Sequence, residues 1–174
     1  MKTIVILAHP NIEQSLVSKS WVNALKEQHA DVTIHNIYET YPDWNIDVAA
    51  EQKLVGAHDR IIFQFPVQWL NMTPLMKKWF DEVLSYGWAY GPDGDKLVGK
   101  EIGAAVSAGS PEEAYQVGGK NLFPLSQLLS PIEATVNFVN AKYHSFHAFY
   151  GVFSDDLENR LKINTQEYLK YVTQ

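Results

Sequence analysis

Three short segments of this chain carry apolar residues at nearly every position: TIVIL at 3–7, RIIFQF at 60–65 and EIGAAVS at 101–107. A strand with one wet face alternates apolar and polar residues. A strand without that alternation has both faces covered. These runs therefore call for a parallel sheet sandwiched between helices. They are also far shorter than the roughly 20 apolar residues of a membrane-spanning helix.

The intervening segments complete an alternating series. A helix is expected from Ser15 to about Gln28, with Leu16, Trp21, Ala24 and Leu25 as its buried stripe. A strand is expected over 32–37, a loop over 41–47 and a short helix over 48–57. Thr73 and Pro74 read as the N-cap and first residue of a helix to about residue 84, because a proline there gives up no hydrogen bond. A Gly-containing loop over 85–99 precedes the strand at 101–107. A helix over 124–138 is expected to restart near Pro131. A fifth strand covers 143–150, and Asp155 with Glu158 has the spacing of a capping box for a last helix to about residue 172. Five strands alternating with five helices give an α/β fold, one domain over 1–174 with an open five-stranded parallel sheet and helices on both faces.

Composition narrows the chemistry. The 174 residues include no cysteine, so disulfides, thiolate metal sites, iron–sulfur clusters and a Cys nucleophile are excluded. Redox chemistry would have to come from a borrowed cofactor. A net charge of −6 argues against nucleic acid and anionic membranes as partners. The apolar start at 4–8 is too short for a signal peptide, so a cytoplasmic location is expected. No metal site is expected. His35 and His58 join no cluster, and His144 and His147, three apart in a strand, should face opposite sides.

In an open parallel sheet, ligands sit beyond the carboxyl ends of the strands. Three loops lie there. In the first, 8–15, a helix start offers free N–H groups to an anion, with His9 and Ser15 as further donors. It contains no glycine, so it is neither a dinucleotide fingerprint nor a P-loop. Taken alone, this loop is better explained as an ordinary turn with Ser15 as N-cap. In the second, 66–73, Trp69 offers an aromatic wall to a planar ligand, or else packs into the core. In the third, 107–121, a small-residue turn over Ser107, Ala108, Gly109 and Ser110 lets backbone donors approach a ligand, and Tyr115 adds a phenol. A further segment, Tyr86-Gly87-Trp88-Ala89-Tyr90-Gly91, gathers three aromatics in a loop, as a partner surface or ligand lid would.

The blocks AHPNIEQS (8–15), YPDWNIDVAAEQ (41–52), QFPVQWLNMTPLMKKWFDEVLSYGWAYG (64–91), SAGSPEEAY (107–115) and LSPIEATVNF (129–138) resemble the flavodoxin-like NAD(P)H:quinone oxidoreductases over nearly the full length. The similarity is to a short bacterial subgroup that includes general stress proteins and the ancillary oxidoreductase of a glutathione-gated potassium efflux system. The resemblance implies a flavodoxin-like three-layer sandwich that binds FMN rather than FAD and uses NAD(P)H as co-substrate. It implies that His9, Ser15, Leu16, Val17 and Ser18 hold the phosphate and ribityl chain. Pro66, Val67, Gln68, Trp69 and Leu70 would lie along the ring, and Ser107, Ala108, Gly109 and Ser110 would bind its pyrimidine end. Tyr115 and Asn121 stand at catalytic positions, although Asn121 replaces a histidine and cannot take up a proton. The third loop reads Ser-Ala-Gly-Ser where the family often has Thr-Thr-Gly-Gly. The implied reaction is ping-pong hydride transfer through flavin N5 to a quinone or similar acceptor. The implied assembly is a homodimer with the active site at its interface, to which Tyr86, Trp88 and Tyr90 contribute. Two other roles fit the same motifs: a regulatory subunit bound to a potassium-efflux transporter, and a flavodoxin-type electron carrier.

Overall fold

A computed structural model describes residues 1–174. Its sheet has the strands β1 (Thr3–Leu7), β2 (Thr33–Asn36), β3 (Arg60–Pro66), β4 (Glu101–Ala108) and β5 (Lys142–Tyr150), in the spatial order β2-β1-β3-β4-β5. All four pairings are parallel. The helices are α1 (Leu16–Gln28), α2 (Ile37–Thr40), α3 (Val48–Gly56), α4 (Pro74–Val83), α5 (Leu125–Leu128), α6 (Ser130–Phe138) and α7 (Leu157–Thr173). None is long and apolar enough to cross a membrane.

Alternation along the central strands divides the core between two layers, because successive side chains point to opposite faces. Ile4, Ile6, Ile61, Phe63, Phe65, Ala104 and Val106 face one cluster, which α3, α4 and α6 cover. Val5, Ile62 and Ala105 face the other, which α1 and α7 cover. Sequence position therefore selects the layer, and both are filled.

Several expectations are corrected by local chemistry. The seven helices exceed the expected five because residues 37–40 form a turn of their own and the 124–138 helix, restarting near Pro131 as expected, divides into α5 and α6. β2 stops at Asn36 because that side chain accepts the Tyr38 N–H at 3.2 Å and starts α2. The buried stripe of α1 begins at Val17, not Leu16. Val17, Trp21, Ala24 and Leu25 point inward, and Leu16 faces outward. Thr73 and Pro74 are the N-cap and first residue of α4 as expected, but the Thr73 hydroxyl makes no capping bond and donates instead to the Ala8 carbonyl at 3.1 Å. The expected Asp155–Glu158 box is absent. Asp156 turns the chain at φ +54, its carboxylate bonds the Asn159 amide at 2.6 Å, and no side chain caps α7. His144 and His147 do not face opposite sides. Ile102 pairs with Tyr143 and Ala104 with Phe146, so an extra residue bulges out of β5, with Ser145 at φ +72. Both histidines then reach α7, His144 at the Tyr171 carbonyl and His147 at Asn164, each at 3.0 Å.

One buried carboxylate locks the edge of the first layer. Glu51 on α3 is almost fully enclosed, with His35 Nε2 and the Tyr41 hydroxyl at 2.6 Å from Oε1 and the Trp79 indole N–H at 2.7 Å from Oε2. These bonds tie β2, the 41–47 loop, α3 and α4 together. Burial opposes the charged form, but the hydrogen bonds outweigh it and hold the carboxyl below its ordinary 4.5. Glu51→Gln is expected to lower the unfolding free energy by about 2–3 kcal/mol in urea titrations at neutral pH. The native value lies below the unfolded one, so the carboxylate's contribution is complete above pH 4.5 and disappears as pH falls through the native value. The gap between variant and parent should close in that acidic range. A gap independent of pH would show that the charge is not involved.

Candidate functional site

The register brings the carboxyl ends of four strands to one edge. Leu7 pairs with Gln64, Pro66 with Ser107 and Ala108 with Tyr150. Backbone bonding continues past the strands. Ala8 N–H donates to the Gln64 carbonyl, Val67 N–H to Ser107 and Gly151 N–H to Ser110, each at 2.8 Å. With the Thr73–Ala8 bond, these join the loops after β1, β3, β4 and β5 into one rim.

A cavity of about 410 Å³ opens on this rim. His9, Ser15, Leu16 and Val17 line one side, and Pro66, Val67, Ser107 and Gly109 the other. Ser15 caps α1 by accepting the Ser18 N–H at 3.0 Å. The N–H groups of Leu16 and Val17 have no partner in the chain, so the positive end of a 13-residue helix faces the cavity. His9 is half-buried, and burial lowers its pKa below 6.5. Its Nδ1 accepts the Asn11 N–H at 3.1 Å, which fixes the neutral tautomer with the proton on Nε2. That proton is a further donor.

Not every expected residue lines this cavity. Ser18 is fully buried, and its hydroxyl has no partner. Ala108 is buried, and its carbonyl accepts the Val152 N–H at 3.3 Å. Trp69, Leu70, Ser110, Tyr115 and Asn121 line an adjoining hollow of about 450 Å³, which shares Val67, Gly109 and Phe153 with the first. Tyr115 is buried there beside Ser110. Burial raises the pKa of its phenol, so it is a neutral donor at pH 7. Gln68 lines neither hollow. It closes a turn with Asn71 through paired bonds of 2.9 and 3.0 Å.

That turn is strained. Trp69 and Leu70 both have positive φ, at 48° and 64°, where primed hairpin turns favour glycine or asparagine. The strained backbone holds the Trp69 ring 99 % exposed, which excludes core packing. In the 86–91 segment, Tyr86 is exposed, Trp88 is half-buried against the first core layer, and Tyr90 contacts Phe138 at 5.4 Å between ring centroids.

Four lining residues were not anticipated: Asn11, Gln14, Val152 and Phe153. The first two belong to the 8–15 loop. Val152 and Phe153 come from the loop after β5. The same rule about strand ends points to that loop, but its sequence carries no motif.

The chain matches the family described as having a flavodoxin-like fold over residues 1–172. It is 46 % identical over 175 residues to YdeQ of Bacillus subtilis, named an uncharacterised NAD(P)H oxidoreductase, covering 99 % of this chain and 87 % of that one. A general stress protein 14 from Treponema denticola, solved in complex with FMN, is 42 % identical with a TM-score of 0.93, covering 99 % and 98 % of the two chains. An NADPH-quinone reductase from P. pentosaceus is 32 % identical with a TM-score of 0.87, covering 100 % and 99 %.

Leu70→Asn should relieve the turn, because asparagine tolerates the left-handed region. A gain of about 1 kcal/mol in unfolding free energy is expected from urea denaturation. A loss of stability would mean that the turn is not strained.

Proposed function

This chain belongs to the flavodoxin-like fold family, among its NAD(P)H oxidoreductases and quinone reductases, and on that premise we propose that it is an FMN-dependent NAD(P)H:quinone oxidoreductase that works as a homodimer. The observation that carries this reading is the unlike character of the two ends of the site. One end concentrates donors: the Leu16 and Val17 N–H groups, the Ser15 hydroxyl and His9 Nε2. The other end sets the apolar Val67, Trp69, Leu70 and Phe153 beside the polar Ser110, Tyr115 and Asn121. A phosphate suits the first and a planar ring the second. Gly109 lies between them, where a Cβ would project to within 3.3 Å of the Phe153 ring.

FMN, when bound, supplies hydride chemistry between a nicotinamide and a quinone. The chain has three tasks around it. The helix N-terminus and His9 hold the phosphate without needing a protonated histidine at neutral pH. The 69–70 turn sets an aromatic wall beside the ring. The Tyr115 phenol, held neutral in the hollow, would supply a fixed hydrogen-bond donor to the ring's polar edge, and fixed donors of this kind stabilise developing negative charge without reorganising. FMN is favoured over FAD by a relative of 42 % identity solved with FMN. Tyr86, Tyr90 and Phe138, exposed and in contact with one another, support a second subunit packing on them.

Purified protein is expected to be yellow, to release FMN on denaturation, and to oxidise NAD(P)H rapidly with a benzoquinone. A colourless protein that takes up neither FMN nor FAD on reconstitution rules the reading out. Slow NAD(P)H turnover in a flavin-loaded protein would favour a one-electron carrier instead. Tyr115→Phe should keep its flavin and lose turnover by about 10²-fold. Sedimentation should give twice the 19.8 kDa chain mass.

A further inference from the structure

Phe153 is a large apolar side chain left 91 % exposed, yet it belongs to the walls of both hollows at the site. Its ring lies over Gly109. Within the loop that carries it, Gly151 is buried and Val152 packs against the second core layer, but Phe153 itself stays in solvent. Two backbone bonds hold the loop's inner side, Gly151 N–H to Ser110 and Val152 N–H to Ala108. Its outer side is held by one side chain from the next helix. The Arg160 guanidinium donates to the carbonyls of Tyr150 and of Gly151, the latter at 3.2 Å, with Asp155 at 3.5 Å. Its carbon sits 5.0 Å from the centre of the buried Phe149 ring. Arg160 thus spends its fork of donors on three loop carbonyls rather than on a carboxylate.

We infer that Arg160 is a positioning residue: it clamps the 151–155 loop so that Phe153 stands as a fixed wall across the mouth of the site. The cofactor part of this inference rests on the flavin reading above. Arg160 touches neither hollow's expected ligand and acts only through Phe153. A single ammonium cannot span the three carbonyls, so lysine should restore the clamp only in part.

Two measurements on the full chain test the inference. The first uses flavin-free protein and chymotrypsin, following cleavage after Phe153 by mass spectrometry. Arg160→Met should be cut about tenfold faster than the parent, with Arg160→Lys between them. Equal rates in all three overturn the clamp. The second follows FMN binding by quenching of flavin fluorescence. Phe153→Ala, a change at an exposed position, should weaken FMN binding about tenfold. Arg160→Met should weaken it similarly, and the double variant no further, since both act through one ring. Multiplying losses would mean that Arg160 does not act through Phe153, and would overturn the inference. If the parent takes up no flavin, the functional reading fails together with the cofactor part, while the cleavage rates still decide the clamp.

Discussion

The parallel ladder of β1, β3 and β4 is the interaction on which the rest depends. Its register sends alternate residues of each strand into two separate layers and brings the strand ends level at one edge. Because the backbone bonding runs on past the strands, the loops are positioned by main-chain atoms rather than by their own side-chain packing. Loops of small and polar residues such as Ser107 to Ser110 can therefore hold fixed positions without a core. A site that relies on backbone donors needs this kind of support.

The buried polar groups follow the same logic. Gln64 lies in the middle of an otherwise apolar strand, but the Tyr168 hydroxyl donates to its oxygen at 2.5 Å, joining β3 to α7. Thr73 gives its hydroxyl to the rim instead of to its own helix. Glu51 joins four segments that apolar contacts alone would leave free to slide. In each case the hydrogen bond fixes a relative position, and an apolar contact, being non-directional, would not.

Much of the fold was legible in the sequence because burial on both faces leaves a plain mark: apolar runs without alternation. The three central strands follow from that mark, and the starts of α4 and α6 from the proline positions. The failures cluster where one side chain decides between equivalent local structures. Asn36 ends β2 a residue early, Thr73 chooses a carbonyl over its helix, and Asp156 adopts a left-handed turn where a capping box was spelled out. The bulge at Ser145 left no trace in the residue pattern, and it reversed the expected facing of His144 and His147. The three motif-bearing loops were legible from the strand-end rule. The Phe153 loop was not, because a Gly-Val-Phe-Ser segment looks like any surface turn until the register carries it to the rim.

What the sequence hid most completely is how much apolar surface this edge leaves in water. Trp69 and Phe153 stand almost fully exposed, and Leu16, Leu70, Leu122 and Phe123 are exposed as well. Scattered singly, such residues would need no explanation. Trp69 and Phe153, however, line one hollow, and one of them is held out by a backbone conformation that costs energy. A strained backbone that keeps an indole wet, beside a helix end with unpaired donors, supports the proposal of a ligand that covers the indole and accepts from those donors. A planar ring with a phosphate tail meets both demands at once, which neither a lone anion nor a lone apolar ligand would do.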